Sequence, residues 1–175
     1  HLLVDIDDGY CDVEVACHVT SVLEQAGASG VVLEDQRRPR RCGHFDGKQL
    51  LDMDEYLIKL ERVLATRRDL VVVARTDATD PADAARRAHA FAAAGADAVL
   101  VDGVASLELV RRLSGELGCP IVFNQIAGGK SAPVTATALR EAGVSLAIYS
   151  TPCLFAAQQA MEGAMVQLGA DDGRL

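Results

Sequence analysis

Short runs of β-branched and other apolar residues alternate along the chain with longer stretches rich in alanine and leucine. The short runs suit buried strands, and the longer stretches have the periodicity of amphipathic helices. This alternation is typical of consecutive βα units around a parallel sheet. Six strands are predicted, over residues 2–7, 31–35, 70–77, 98–102, 120–124 and 146–150. Six helices are predicted, over residues 13–25, 54–66, 81–94, 106–116, 135–141 and 154–168.

Polar side chains lie at or near the carboxyl ends of the predicted strands. They are Asp5, Asp7, Glu34, Asp35, Arg75, Asp77, Asp102 and Asn124. Open α/β sheets and (βα)8 barrels both place their sites at that end. Six strands contribute to one mouth only in a barrel, or in a ring built with help, whereas a doubly wound sheet would bring fewer of them together. The pattern therefore predicts a barrel or a layered α/β fold.

Length and composition predict one domain, residues 1–175, because half of the 175 residues are hydrophobic and can form one sizeable core. No apolar run approaches the roughly 20 residues of a membrane helix, and no leader precedes the first strand, so we expect a cytoplasmic protein without a membrane partner. The net charge of -8 argues against nucleic acid as a partner. Five scattered cysteines without a CxxC pair predict free thiols.

Four arginines, Cys42 and His44 crowd into the loop that follows the second predicted strand. Cations beside a thiol favour the thiolate, so this loop is predicted to serve chemistry. The basic run 37–41 is too short for nucleic acid and better suits a small anionic ligand. The alternative for Cys42 is a small buried hydrophobe, as most free cysteines are. Its polar, glycine-containing surroundings make that alternative the weaker one.

Acidic residues at the first two strand ends indicate a cation site. Asp5 and Asp7 are two apart on a predicted strand, so both would face one hard cation, whereas Asp8 would point away. Glu34 could complete a Mg²⁺ or Mn²⁺ shell, and Asp35, on the other face, would be structural. The alternative is that Asp5 and Asp7 only cap a turn or a helix.

Arg75 follows three valines, where an arginine must meet an anion to be tolerated. Its partner would be either a substrate carboxylate or a buried carboxylate, Asp77 or Glu34. The run Gly128-Gly129-Lys130-Ser131 lacks the spacing of a P-loop, so we interpret it as a flexible loop that supplies anion contacts.

Taken together, these segments resemble the isocitrate lyase/phosphoenolpyruvate mutase superfamily, from residue 2 to about residue 168. The branch would be methylisocitrate lyase-like or carboxyphosphonoenolpyruvate mutase-like. The segments that carry the resemblance are Asp5-Ile6-Asp7-Asp8-Gly9-Tyr10, Leu33-Glu34-Asp35-Gln36, Arg41-Cys42-Gly43-His44, Gly47-Lys48, Ala74-Arg75-Thr76-Asp77-Ala78, Asn124 and Gly128-Gly129-Lys130-Ser131.

The resemblance implies a (βα)8 TIM-type barrel with Mg²⁺ (or Mn²⁺) at its mouth. This chain would carry about six of the βα units, strands 3 to 8. Asp7 would be the direct ligand, and Asp5 and Glu34 would hold the waters of the metal. Cys42 would be the acid/base on a closing loop with His44 beside it, and Arg40 and Glu34 would complete the catalytic set. Substrate contacts would come from Tyr10, Gly43, Arg75, Asp102 and Asn124.

The implied reaction is cleavage of a C–C bond in a small 2-hydroxy or 2-oxo carboxylate through an enolate. Isocitrate, 2-methylisocitrate, substituted malates and oxaloacetate are in that class. The alternatives are a carboxyphosphonoenolpyruvate-type phosphonomutase and a non-catalytic barrel that binds 2-oxo acids. The superfamily also implies a homo-oligomer, often a tetramer.

The chain departs from the superfamily pattern at three residues: Arg40 replaces a usual lysine, Cys11 a glycine and Asp102 a glutamate. The first two strands of the barrel have no counterpart, so we hypothesise a piece of a longer protein. Selectivity would come from a side pocket that includes Phe45, Val104 and Thr151-Pro152-Cys153.

Overall fold

The computed structural model describes residues 1–103, 106–131 and 133–174, so Val104 lies outside the described residues. Strands and helices alternate along these ranges without exception. The elements are β1 Leu3–Asp5, α1 Val13–Gln25, β2 Gly30–Glu34, α2 Met53–Thr66, β3 Val71–Thr76, α3 Pro81–Ala93, β4 Ala98–Val101, α4 Leu107–Glu116, β5 Ile121–Gln125, α5 Ala136–Glu141, β6 Val144–Tyr149 and α6 Pro152–Ala170.

The strands form one parallel sheet in the order β1-β2-β3-β4-β5-β6. A doubly wound sheet reverses its strand order at a switch point, whereas a barrel adds each new strand beside the last. The observed order is that of a barrel. Its register sets Glu34 directly beside Arg75, so polar residues from neighbouring strands meet at the carboxyl edge.

Apolar side chains cover both faces of the sheet. Val32, Val73 and Leu100 form a small cluster on one face, and Val31 and Leu33 belong to the larger cluster between the sheet and the helices. Burial on both faces explains why the strand sequences are continuous apolar runs, as is typical of parallel sheets.

β1 is shorter than predicted because the chain turns at Asp7. The backbone of Asp7 is left-handed, with φ 54°, and its N–H donates to Asp5 Oδ1 at 2.9 Å. Tyr10 and Cys11 are also left-handed, with φ of 60° and 69°. The expectation that Asp5 and Asp7 share one face of a strand is therefore wrong, since only Asp5 belongs to β1.

The other boundaries differ by a few residues. α6 begins at Pro152, two residues before the predicted start, because proline suits the first turn of a helix. β6 likewise begins at Val144 rather than at residue 146. Among the helices that the structure describes, none is long and apolar enough to cross a membrane.

Candidate active site

Two of the predicted metal-binding carboxylates share one cationic partner. Arg40 Nε lies 2.8 Å from Glu34 Oε1, and Arg40 Nη2 lies 2.9 Å from Asp7 Oδ1 and 3.3 Å from Glu34 Oε2. Glu34 is fully buried, whereas the side chain of Asp7 is 37 % exposed. The third carboxylate, Asp5, lies 3.7 Å from Arg75. We call the space between Asp7 and Glu34 the cation seat.

The seat suits a magnesium ion by its chemistry. Mg²⁺ prefers oxygen ligands and is usually held by one or two carboxylates together with several waters. One nitrogen of Arg40 reaches both Asp7 and Glu34, so a single positive centre there contacts both carboxylates. Within the described ranges, no three acidic, histidine or cysteine side chains form a closed cage for a metal. A Mg²⁺ ion that keeps most of its water ligands does not require such a cage.

Burial raises the pKa of Glu34, and the hydrogen bond from Arg40 together with the charge of Arg75 opposes that rise. An ionised carboxylate buried in this way is stabilised by positive charge beside it, which Arg40 and Arg75 supply here.

Arg75 lies at the centre of a buried ion network. Its Nε and Nη2 donate to Asp77 at 3.1 and 3.0 Å, and Nη2 also reaches Asp102 Oδ2 at 2.7 Å. Glu34 lies 3.5 Å away. The ion pair with Asp77, one of the two alternatives from the sequence, is thus present. Among the described residues, the ion-pair partner of Arg75 Nη1 is Asp5, at 3.7 Å. The role of Arg75 toward a substrate carboxylate stays a prediction.

Asp102 and Asn124 extend this network across β4 and β5. Burial alone would raise the pKa of Asp102, but His44, Arg75 and Asn124 together lower it. Asn124 Nδ2 donates to Asp102 Oδ1 at 3.0 Å, and Asn124 Oδ1 accepts from Ser150 Oγ at 2.6 Å. These contacts fix the orientation of the Asn124 amide.

Residues 37–48, which we call the lid segment, close onto the Arg75 network through Gly43. A Cβ at Gly43 would overlap the carboxylates of Asp77 and Asp102 and would lie 2.7 Å from Arg75 Nη2. Only glycine allows such a close approach. Buried Lys48 holds this geometry by donating to the Gly43 carbonyl, and its Nζ lies 3.7 Å from Asp77.

His44 joins the lid segment to the loop after β5. His44 is buried, its Nδ1 accepts from the Lys130 backbone N–H at 2.9 Å, and its Nε2 lies 3.4 Å from Asp102 Oδ1. Because Nδ1 accepts, the proton of a neutral His44 sits on Nε2. Lys130 Nζ pairs with Asp46 at 2.7 Å. Lys130, expected to contact an external anion, thus binds the lid segment instead.

Cys42 is exposed, so the alternative of a small buried hydrophobe is wrong. The arginines near it in sequence are bound elsewhere, Arg37 to Glu55 at 2.7 Å and Arg38 to Asp8 at 2.8 Å. The expectation of a basic cluster open to a small anion is therefore also wrong for these two arginines. Their charges are directed to carboxylates rather than to the thiol.

The other candidate residues of the first two loops have different roles. Asp8 pairs with Arg38, away from the cation seat, and accepts from Cys11 Sγ at 3.5 Å. Asp35 is structural as predicted, since it binds Arg87 at 3.0 Å. Tyr10 lies on the β1–α1 loop with 43 % of its surface exposed, and its contact with substrate stays a prediction.

A family model for phosphoenolpyruvate phosphomutase matches residues 1–168. The chain belongs to this family. Its membership confirms the resemblance that the strand-end motifs indicated.

Relatives within the phosphoenolpyruvate phosphomutase family include lyases. The chain is 34 % identical over 175 residues to a 2-methylisocitrate lyase of Halalkalibacterium halodurans, covering 98 % of this chain and 58 % of the relative. It superposes on the crystal structure of 2,3-dimethylmalate lyase with a TM-score of 0.91 and 30 % identity, covering 97 % of this chain and 59 % of that one. The chain thus spans somewhat more than half the length of these relatives.

Another similar structure was crystallised with a metal. Phosphonopyruvate hydrolase in complex with oxalate and Mg²⁺ has a TM-score of 0.76 and 26 % identity, covering 98 % of this chain and 62 % of that one. The agreement with these structures confirms the predicted TIM-type barrel class, to which the chain contributes six parallel βα units.

Three site residues were missed by sequence reasoning. Lys48 supports Gly43, Ser150 orients Asn124, and Gln36 accepts from the Arg41 N–H at 2.8 Å while donating to Asp77 at 3.0 Å. Each stands at the end of a strand or within a quoted motif. The available signal was therefore their position at a strand end or in a motif. None of the three lies in a pattern of charges that would identify it by itself.

Proposed function

We propose that this chain is part of a Mg²⁺-dependent lyase, which cleaves a C–C bond in a small 2-hydroxy or 2-oxo carboxylate. The observation that carries the proposal is the seating of Gly43 and His44 against the buried network of Arg75, Asp77 and Asp102 at the mouth. Cys42, the residue directly before Gly43, is exposed. The 2-methylisocitrate and 2,3-dimethylmalate lyases among its relatives support the same reaction class.

Asp7, with Asp5 and Glu34 behind it, would hold the metal. Mg²⁺ bound there would polarise the 2-oxygen of the substrate and stabilise negative charge on it. Arg75 and Asn124, near the carboxyl ends of β3 and β5, would orient a substrate carboxylate. A substrate carboxylate bound to Arg75 would share the guanidinium with Asp77 and Asp102. These two carboxylates already hold the guanidinium in place.

Two proton transfers would accompany bond cleavage. We assign the substrate hydroxyl proton to Glu34, because this buried carboxylate lies in the cation seat beside Asp7, where the metal would hold the 2-oxygen. The electron pair of the O–H bond would form the C=O bond of the oxo acid, and the electron pair of the breaking C–C bond would pass into the departing carboxylate as an enolate. The Cys42 thiol would then donate its proton to the enolate carbon, while Gly43 and His44 hold the lid segment in place.

The test is a substrate screen with full-length protein and Mg²⁺. We expect turnover of one compound among isocitrate, 2-methylisocitrate, substituted malates and oxaloacetate. Loss of the proton donor in Cys42→Ser should lower kcat by about 10²- to 10⁴-fold and leave metal binding intact. Cys119→Ser, before β5 at the opposite end of the sheet, is the matched control and should retain full activity.

Two outcomes would overturn the lyase proposal. Rearrangement of a phosphonate substrate, with unchanged carbon skeleton, would favour the phosphonomutase alternative that the family model supports. Binding of oxo acids without turnover would identify a non-catalytic barrel. We further propose a cytoplasmic homotetramer, as the superfamily resemblance implies. Light scattering on the full-length protein would test the tetramer.

A further inference from the structure

The cation seat is filled by a side chain of the protein itself. Arg40 makes a two-pronged contact with Glu34 and a third contact with Asp7, all within 3.3 Å. The partner carboxylate Glu34 has no exposed surface, so with Arg40 in place the guanidinium rather than solvent neutralises its charge. Arginine suits the place because its planar fork meets a carboxylate through two nitrogens, which a lysine cannot do.

Arg40 lies on the lid segment, two residues before Cys42. The contacts that follow it along the chain hold the same segment: Gln36 binds the backbone of Arg41, and Gly43 rests on the Arg75 network. A displacement of the Arg40 side chain from the seat therefore removes one of the ties between the lid segment and β2.

We propose that Arg40 is an internal counter-cation that occupies the divalent-cation seat and must be displaced when the metal binds. Metal binding and the position of the lid segment are then coupled, because one carboxylate pair serves both cations. This inference rests on the proposed metal site. It assigns a purpose to the paired contacts of Arg40 with Glu34 and Asp7.

The coupling has a definite sign. Two cations in contact with the same carboxylates repel each other, so occupation of the seat by one disfavours the other. Each therefore weakens the binding of the other by the same factor, since coupling between two sites is reciprocal. Typical coupling factors of about 5- to 150-fold set the size of the expected effect.

The first measurement is Mn²⁺ binding to the full-length protein, by electron paramagnetic resonance and without any carboxylate ligand. Removing the competitor in Arg40→Gln should tighten Mn²⁺ binding by about tenfold. Arg37→Gln is the matched control, because Arg37 lies on the same segment but pairs with exposed Glu55. It removes the same charge and should leave the Mn²⁺ affinity within about twofold.

The second measurement is amide hydrogen exchange of residues 37–48. In the wild-type protein, saturating Mn²⁺ should speed exchange by releasing Arg40 and loosening the segment. In Arg40→Gln, exchange should already be fast and should not respond to Mn²⁺. This readout is independent of turnover, so it does not require that the substrate be known.

The possible results separate the inference from the proposed function. Equal or weaker Mn²⁺ binding by Arg40→Gln would overturn the inference while leaving the metal site intact. Absence of Mn²⁺ binding in the wild type and in both variants would overturn the metal site and the inference together. Tighter binding by Arg40→Gln supports the inference even if no lyase substrate is found.

Discussion

Gly43 shows how much of the site depends on a single missing side chain. The lid segment can lie against Asp77 and Asp102 only because nothing projects from this residue. We predict that Gly43→Ala prevents that approach and lowers kcat/KM by at least about 100-fold, since small displacements of catalytic groups cost this much. Thermal unfolding should change little, because the lid segment lies outside the main core.

Gly115 provides the control for this prediction. A Cβ there meets no atom within 4 Å, and the residue lies inside α4. Gly115→Ala should therefore preserve kcat/KM and stabilise the protein by up to about 1 kcal/mol through helix propensity. Full activity in Gly43→Ala would show that the closed position of the lid segment is not used in turnover.

Single residues also mark the limit of what the sequence predicts about the site. Glu34 and Arg75 were identified correctly as strand-end groups, because burial at those positions demands charged partners. The Asp77 partner of Arg75 was among the predicted alternatives, whereas the Arg40 partner of Glu34 was not predictable. Arg40 meets Asp7 across 33 positions of sequence, and only the folded β1–α1 loop brings them within 2.9 Å. The seat therefore depends on tertiary structure that no local pattern encodes.

At the scale of elements, an ion pair ties α3 to the end of β2. Arg87 donates to Asp35 at 3.0 Å, to Asp83 at 3.0 Å and to the Leu51 carbonyl at 3.1 Å. Burial raises the pKa of Asp35 to about 6, even though Thr76, the Asp77 N–H and Arg87 all act to lower it. Burial of the ionised Asp35 carboxylate therefore lowers the free energy of unfolding.

A pH prediction follows from the Asp35 carboxyl. Its folded pKa, about 6, lies above the ordinary value of 3.8, so between these values the folded state holds a proton that the unfolded state has lost. The contribution of Asp35 to the free energy of unfolding therefore falls as pH rises from about 4 to 6 and is constant above that. Asp35→Asn removes this dependence.

Urea unfolding of both proteins at several pH values measures the effect. The variant should gain about 1 to 3 kcal/mol relative to the wild type between pH 4 and pH 6, because each unit of pKa shift corresponds to about 1.4 kcal/mol. Other titrating groups cancel in the difference between the two proteins. Parallel curves for wild type and variant would show that Asp35 titrates at its ordinary value when folded.

The order of elements was predictable where hydrophobic periodicity was long and regular. α1 matches its predicted range, 13–25, and is capped by Asp12, which accepts from the N–H groups of Glu14 and Val15. The predicted β1 was too long because the alternation of apolar and polar residues continues to Asp7. In the structure, the local hydrogen bond from the Asp7 N–H to Asp5 turns the chain. Turn chemistry prevailed over periodicity there.

At the scale of the whole molecule, α6 differs from the other helices. None of its described residues is buried, although it is rich in apolar side chains. The large apolar side chains of α6 that are exposed are Leu154, Phe155, Met161, Met165 and Val166. Scattered exposed hydrophobic residues are normal in proteins, but several on one helix form a patch that favours association.

We predict that the 175-residue chain, produced alone, self-associates through α6 and binds a hydrophobic dye such as ANS. Met161 and Met165 are four residues apart and share one face of the helix, so replacing both with lysine should break the patch and shift the protein toward monomer. Ile58→Lys is the control, because Ile58 is 58 % exposed on α2. Sedimentation velocity and dye fluorescence measure both effects. A monomeric wild-type chain without dye binding would contradict the prediction, as would an equal response to Ile58→Lys.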